Sequence, residues 1–194
     1  MSPKNPMNDE IIRLIFGQIG TINADKILYV ITMFDEEKRR QLCAVVDEDA
    51  WEIMDSIINK SELGCYTLAN NILEMLGEYT DFTEYFILIC GLSGGEYQSC
   101  LTNTRTRQKL MFRLKDAIAL SLLAKIPIYI TKALMEDQST PINERTAIAP
   151  DLPINILPTE TIEAGLQQAL EREDYETAST LSDELKRRKQ ESEE

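Results

Sequence analysis

The chain has 194 residues, 43% of them hydrophobic, with 33 acidic side chains against 20 basic ones and a net charge of −13. It contains no histidine, which excludes a Ser-His-Asp triad, a Cys-His dyad and any histidine-bearing zinc site, so acid–base chemistry would fall to carboxylates, lysine, tyrosine or metal-bound water. The acidic balance opposes nucleic-acid binding except at a local basic patch, and no apolar run approaches the roughly 20 residues that span a bilayer.

Length allows one ordinary domain and a small appendage. The first residues, Met1–Asn8, read as a loose start without the apolar core of a secretory signal, so a cytoplasmic location is expected. The apolar run 10–16 suits a strand or a short helix, broken by Gly17, Gly20 and Asn23. Lys26–Phe34, rich in β-branched and aromatic residues, predicts a strand. After the charged turn 35–40, Leu42–Val46 returns as its hairpin partner. Residues 47–58 predict a helix with acids crowding its first turn and Ala50, Ile53, Met54, Ile57 and Ile58 on its apolar face. A second helix runs from Thr67 to Leu76, with Gly77 as its expected cap. Phe82–Cys90 predicts a strand, followed by a turn at 91–95 and a returning strand from Glu96 to Leu101. Arg105–Phe112 predicts one more strand, on which Arg105, Arg107 and Lys109 alternate toward Arg113 as a candidate phosphate-binding stripe or simply a solvated face.

Residues 113–130 form the centre of the chain. Ala117, Ile118, Leu120, Leu122 and Leu123 leave a narrow polar face, so this helix should be enclosed. Asp116 suits the N-cap, Pro127 stops the helix, and Ile128–Ile130 reads as a buried strand. The four cysteines, Cys43, Cys65, Cys90 and Cys100, form no Cys-x-x-Cys pair and read as plain buried thiols, with Cys43 and Cys90 the most core-like.

Residues 138–158 carry four prolines and read as a linker. Beyond it, 162–170 predicts a short amphipathic helix capped by Thr159 or Thr161. A turn at 171–174 follows, and Asp174 can cap a last helix with Tyr175, Ala178, Leu181 and Leu185 on one face. The basic run 186–189 suits that helix's C-terminus. A hairpin of this size buries too little surface to stand alone, so its stripe should pack on the main domain, on a second copy or on a partner.

Two stretches resemble known families. Arg113, Asp116, Ala117, Ile118, Ala119, Leu120 and Leu122, followed by Pro127, Ile128 and Ile130, resemble the bifunctional nuclease signature Arg-Pro-Ser-Asp-Ala-Ile-Ala-Leu-Ala, from which Leu114 and Lys115 depart. The strand-to-helix slot 42–50 is similar in order. The family's next motif, Arg-Pro-x-Thr-His-Asp-Leu, is represented at 64–70 only by Thr67, with Leu68 and Ala69 where the His-Asp pair would stand. In the C-terminal segment, Leu166, Ala169, Glu173, Asp174, Tyr175, Glu176, Ala178, Leu181, Asp183 and Leu185 match the UVR pattern, with Ser179 and Ser182 departing. UVR domains are small helical hairpins of the UvrB and UvrC excision-repair proteins and of Clp-protease adaptors.

The resemblance implies residues 1–137 as a bifunctional-nuclease-like domain, 138–158 as a Pro-rich linker and 159–194 as a UVR-like hairpin. The expected class is α+β, a mixed or antiparallel sheet packed with helices. It implies a nuclease acting on DNA and RNA, with Asp116 a candidate catalytic residue and ligand for Mg²⁺ or Mn²⁺ and Arg113 a candidate catalytic phosphate grip; Asp47, Glu48 and Asp49 could supply further ligands or simply complement the dipole of their helix. It also implies self-association, most simply a dimer, and a protein partner at Leu166, Tyr175, Ala178, Leu181 and Leu185. The plain alternative is that Asp116 caps its helix and Arg113 pairs with an acidic neighbour. With the His-Asp pair absent, the chain then reads as a non-catalytic interaction or adaptor protein, and a ligand-sensing regulator is a third possibility.

Overall fold

The computed structural model describes residues 10–23, 27–61, 67–77, 80–143, 146 and 151–193. Met1–Asn8, Cys65, Tyr66 and Tyr79 lie outside them. The fold is α+β: among the described residues, eight strands form one mixed sheet packed with six helices.

Three strands open the chain: β1 (Ile11–Asn23), β2 (Ile27–Asp35) and β3 (Arg40–Val46). Helices α1 (Glu48–Ile58) and α2 (Leu68–Leu76) follow. Next come β4 (Tyr85–Ser93), β5 (Glu96–Asn103) and β6 (Lys109–Arg113), then α3 (Leu114–Ala124) and β7 (Ile128–Thr131). Helix α4 (Lys132–Gln138), the two-residue β8 (Thr140–Pro141) and the hairpin α5 (Thr159–Glu171) and α6 (Tyr175–Glu193) complete it.

The strand order is β6-β5-β4-β7-β1-β2-β3-β8. Every pairing is antiparallel except β4 with β7, where Leu88 stands beside Tyr129. The core takes Ile31, Met33, Leu42, Ile87, Ile89, Ile118 and Ile130, all fully enclosed. Helix α3 packs between α1, α2 and β5, as its nearly all-apolar sequence demands.

Several boundaries differ from expectation. Gly17 does not end β1 but sits at a bulge, where the register against β2 shifts between Phe16 and Gln18. The Phe34 ring lies so close that a Cβ on Gly17 would stand 2.3 Å from it. Residues 82–84 form a single 3-10 turn before β4 because the Asp81 carboxylate accepts the Thr83 N–H at 2.9 Å. β4 then runs through Gly91, and the turn tightens onto Gly94 and Gly95, both at positive φ. Gly77 caps α2 in ordinary right-handed geometry. Pro127 does not itself end α3; Lys125 does, in the left-handed region at φ 57.

The segment 138–158 is not a free linker over its described residues. Arg40 donates to the Ser139 hydroxyl and carbonyl at 2.6 Å each, β8 pairs with β3, and the Gln41 side chain donates to Thr146 O at 2.9 Å. A 3-10 turn at Ile154–Ile156 drives Ile156 into the core, 2% exposed. Each contact satisfies a backbone or apolar group that a free linker would leave to water. The basic run 186–189 is likewise not a terminus, since α6 continues to Glu193.

Candidate functional site

A cleft of about 420 Å³ opens where the sheet curls enough for its distant parts to meet. The end of β3 lines one wall, the Gly94–Gly95 turn another, the start of α3 the floor, and Ile156 to Glu160 the remaining side. Arg113 and Lys115 supply its cations; Asp47, Glu96 and Glu160 supply its acids.

Two helix starts set this geometry. Asp47 is the N-cap of α1, its Oδ1 accepting the Ala50 N–H at 2.8 Å. Its Oδ2 accepts from the Lys115 ammonium, an ion pair in which Lys115 is three-quarters covered. Burial pushes the Asp47 carboxyl up, but Lys115, the Ala50 N–H and the charge of Arg113 together hold it below the ordinary carboxylate range. At α3 the N-cap position belongs to Arg113, whose side chain makes no cap. Asp116 therefore stands inside the first turn rather than at its head. There its Oδ2 accepts from Arg113 Nε at 3.0 Å, which answers the helix dipole and the guanidinium together.

Arg113 and Asp116 are thus brought together, at the cleft, as an ion pair. Three of the carboxylates considered as metal ligands are already engaged. The Asp116 carboxylate already faces a guanidinium, Asp47 holds Lys115 and caps α1, and Glu48 accepts the Tyr29 hydroxyl at 2.7 Å. Among the described residues no three His, Cys, Asp or Glu side chains converge as a Mg²⁺ or Mn²⁺ shell requires. Deep in the same wall, the Tyr97 side chain is 4% exposed, and its hydroxyl has no hydrogen-bond partner among the described residues.

The expected basic stripe does not form along one strand. The Asn103 carboxamide accepts from the Arg105 and Thr106 N–H groups at 2.9 and 2.7 Å, closing a turn before β6 begins. Arg105 then pairs with Glu84 at 3.4 Å, Arg107 sits at φ 59 in the turn, and only Lys109 starts the strand.

The hairpin stripe is largely used within the molecule. Ala178 and Leu181 are buried, Leu166 and Leu185 half-buried, and Tyr175 is 67% exposed. Gly165 lets α6 approach: a Cβ there would stand 3.4 Å from Leu181 Cδ1. The hairpin docks on the domain through two contacts invisible in the motif. Arg188, 8% exposed, donates to Glu184 Oε1 at 2.8 Å, to Thr159 Oγ1 at 3.0 Å and to Asn155 O at 3.0 Å, with its guanidinium lying against Gly95. Glu191 accepts from Ser93 Oγ at 3.3 Å and Gly94 N at 3.2 Å. Ile162, fully buried, is a third residue the pattern did not mark.

Lys115 is the cleft residue that sequence reasoning missed. It stands where the nuclease signature has serine, and nothing in its spacing links it to Asp47, 68 positions away. No helix among the described residues is long and apolar enough to cross a membrane. The chain matches no protein-family model, and no curated protein matches it.

Proposed function

We propose that this chain is a non-catalytic protein-interaction module: a bifunctional-nuclease-like domain whose cleft is occupied by mutual ion pairs, carrying a UVR-like hairpin that presents its tip to a partner protein. The observation that carries this reading is at the tip. Leu170 and Tyr175 flank the Arg172–Asp174 turn at 53% and 67% exposure, while Ala169, Ala178 and Leu181 behind them are buried. Apolar side chains held out on a rigid turn match the anchor residues of protein interfaces. The simplest partner is a second copy of the chain.

The cleft supports the same reading. Both cleft cations that could grip a phosphate, Arg113 and Lys115, are neutralised by carboxylates, and Asp116 and Asp47, the two carboxylates nearest them, are taken by those cations and by the N-terminus of α1. The presence of Arg113 in the cleft is the observation that favours the second reading, a metal-dependent nuclease.

One pair of experiments separates them. Labelled single-stranded DNA and RNA are incubated with wild type and Asp116→Ala, in Mg²⁺, Mn²⁺ or EDTA. No metal-dependent cutting is expected; cutting by wild type that vanishes in Asp116→Ala would establish the nuclease and end the adaptor reading. Sedimentation velocity then compares wild type with the double substitution Leu170→Asp, Tyr175→Asp. A dimer that becomes a folded monomer supports the tip as the contact, and an unchanged assembly removes it.

A further inference from the structure

Cys43 and Cys90 were the thiols expected to be most enclosed, but the structure exchanges one of them. Cys43 and Cys100 are each 2% exposed, while Cys90 is half-buried. The cause is a second bulge. β4 and β5 pair with Leu88 opposite Cys100 and Ile89 opposite Ser99, and the register then jumps to Gly91 opposite Gln98. Cys90 is the extra residue, without a cross-strand partner. Its Sγ lies 3.6 Å from the Gln98 carbonyl, and its thiol makes a side-chain hydrogen bond with that of Cys100. On the far side of Cys100, its Sγ lies 3.6 Å from Thr102 Oγ1, and Lys109, opposite Thr102 on β6, adds a cation to the same face.

We propose that Cys90 and Cys100 are a peroxide-reactive dithiol that closes into an intramolecular disulfide bridging β4 and β5. This assignment is independent of the adaptor reading above. Three features favour it together. The register places the two cysteines diagonally across adjacent strands, Leu88 standing opposite Cys100 and Cys90 two residues further along β4, with their thiols interacting. The bulge supplies the slack by which Cys90 can close the remaining gap, because it is the one position on β4 released from the ladder. The surroundings also favour ionisation of Cys100: the hydrogen bond from Cys90 and the nearby Thr102 and Lys109 lower its thiol, against the opposing effect of burial. Cys90 is pushed up by the same hydrogen bond and by burial.

The chemistry uses a hydroperoxide as the oxidant. Cys90, the member that solvent reaches, passes its proton along the hydrogen bond to Cys100 as its sulfur attacks the terminal peroxide oxygen. The O–O bond breaks, the alkoxide or hydroxide leaves and is protonated by water, and Cys90 becomes a sulfenic acid. Cys100 sulfur then attacks Cys90 sulfur. The S–O bond breaks, and the departing hydroxide takes the Cys100 proton to leave as water. Two thiols and one hydroperoxide yield one disulfide, one alcohol (or water) and one water, and a dithiol reductant reverses it.

The test is a mass map of the full chain. Fully reduced protein is treated with equimolar hydrogen peroxide, blocked with N-ethylmaleimide and digested with trypsin plus a glutamate-specific protease. Glu84, Glu96 and Arg105 are cleavage points, so Cys90 and Cys100 fall in separate peptides, Tyr85–Glu96 and Tyr97–Arg105. The expected product is those two peptides joined, two hydrogens lighter than their sum, and separated again by dithiothreitol. Cys90→Ser, at a half-exposed position, should lose the linkage while keeping the wild-type circular dichroism. The proposal is overturned if both peptides return singly alkylated, if Cys90 advances to sulfinic acid without linkage, or if Cys90 is joined instead to Cys65. The wild-type map decides this even if Cys100→Ser fails to fold.

Discussion

Replacing Arg188 by methionine should loosen α6 from the start of α5 and from the 154–156 turn without unfolding the sheet. The guanidinium ties α6 to Thr159 and to Asn155 at once while pairing with Glu184 of its own helix, and its side chain is only 7% exposed. Methionine keeps much of the aliphatic stem and removes every donor. Losing one partner of a buried ion pair costs about 3–5 kcal/mol when the other charge is stranded. Here Glu184 keeps Arg187 at 2.7 Å, so the charge itself is not stranded. What remains is the loss of two hydrogen bonds from a charged donor, to the Asn155 carbonyl and to Thr159 Oγ1, at about 1.5 kcal/mol each. The expected loss is therefore about 3 kcal/mol in the attachment of α6 to the start of α5 and to the 154–156 turn. Native-state hydrogen exchange reads it directly. Amides of α5 and α6 should lose protection by roughly two orders of magnitude, since each 1.4 kcal/mol is about tenfold, while those of β2 and β4 keep theirs. Unchanged protection in α5 and α6, or an equal loss throughout the sheet, would refute the assignment of Arg188 as a local anchor.

Acid should loosen the same junction. The Arg187 hydrogen bond holds the Glu184 carboxyl below the ordinary glutamate range, against burial and with help from Arg188. Because the folded value lies below the unfolded one, its stabilisation is complete above about pH 4.3 and is lost as pH falls through the folded value. Glu184→Gln should flatten that acid limb in a pH series of urea melts; an identical limb would assign it elsewhere. Gly17→Ala should cost about 1–3 kcal/mol, measured by urea unfolding, because the Phe34 ring must leave its place for the new Cβ. An effect under about 0.5 kcal/mol would mean that the ring moves freely. Asp47→Ala removes an N-cap and a salt partner together, and should lower stability by about 1 kcal/mol, whereas Asp116→Ala should change it by less than half of that.

The strands were legible in the sequence wherever burial and β-branching coincide, as in Ile27–Asp35 and Tyr85–Ser93. Bulges were not. Gly17 and Cys90 each read as an end or an ordinary strand position, because a one-residue slip leaves no local signal and is decided by the neighbouring strand. The buried helix at 114–124 was plain from its apolar content, yet the roles of Arg113 and Asp116 at its start were displaced by one turn. Capping preference ranks residue types and cannot tell Asp116 as cap from Asp116 as third residue. The segment 138–158 looked like a tether because its prolines dominate, but Ile156, with Leu152 and Leu157 beside it, gives it a place in the core. The cleft was legible only by half. Arg113 was singled out, while the Asp47–Lys115 pair joins residues whose proximity exists only after the sheet has curled.

The position of β7 in the sheet has a consequence for how the chain comes together. β1, β2 and β3 are joined by hairpin contacts of short sequence separation, and so are β4, β5 and β6. Neither group touches the other edge to edge. Among the described residues the strand pairing that joins them runs through β7, four residues that lie antiparallel to β1 on one side and parallel to β4 on the other. A ribosome that has released only the first 113 residues therefore holds two meanders whose β1 and β4 edges are unpaired, and the sheet becomes single when β7, made after both, slots between them. A nascent chain stalled before Ile128 should remain open to proteases along β1 and β4, and one stalled well after Thr131 should not.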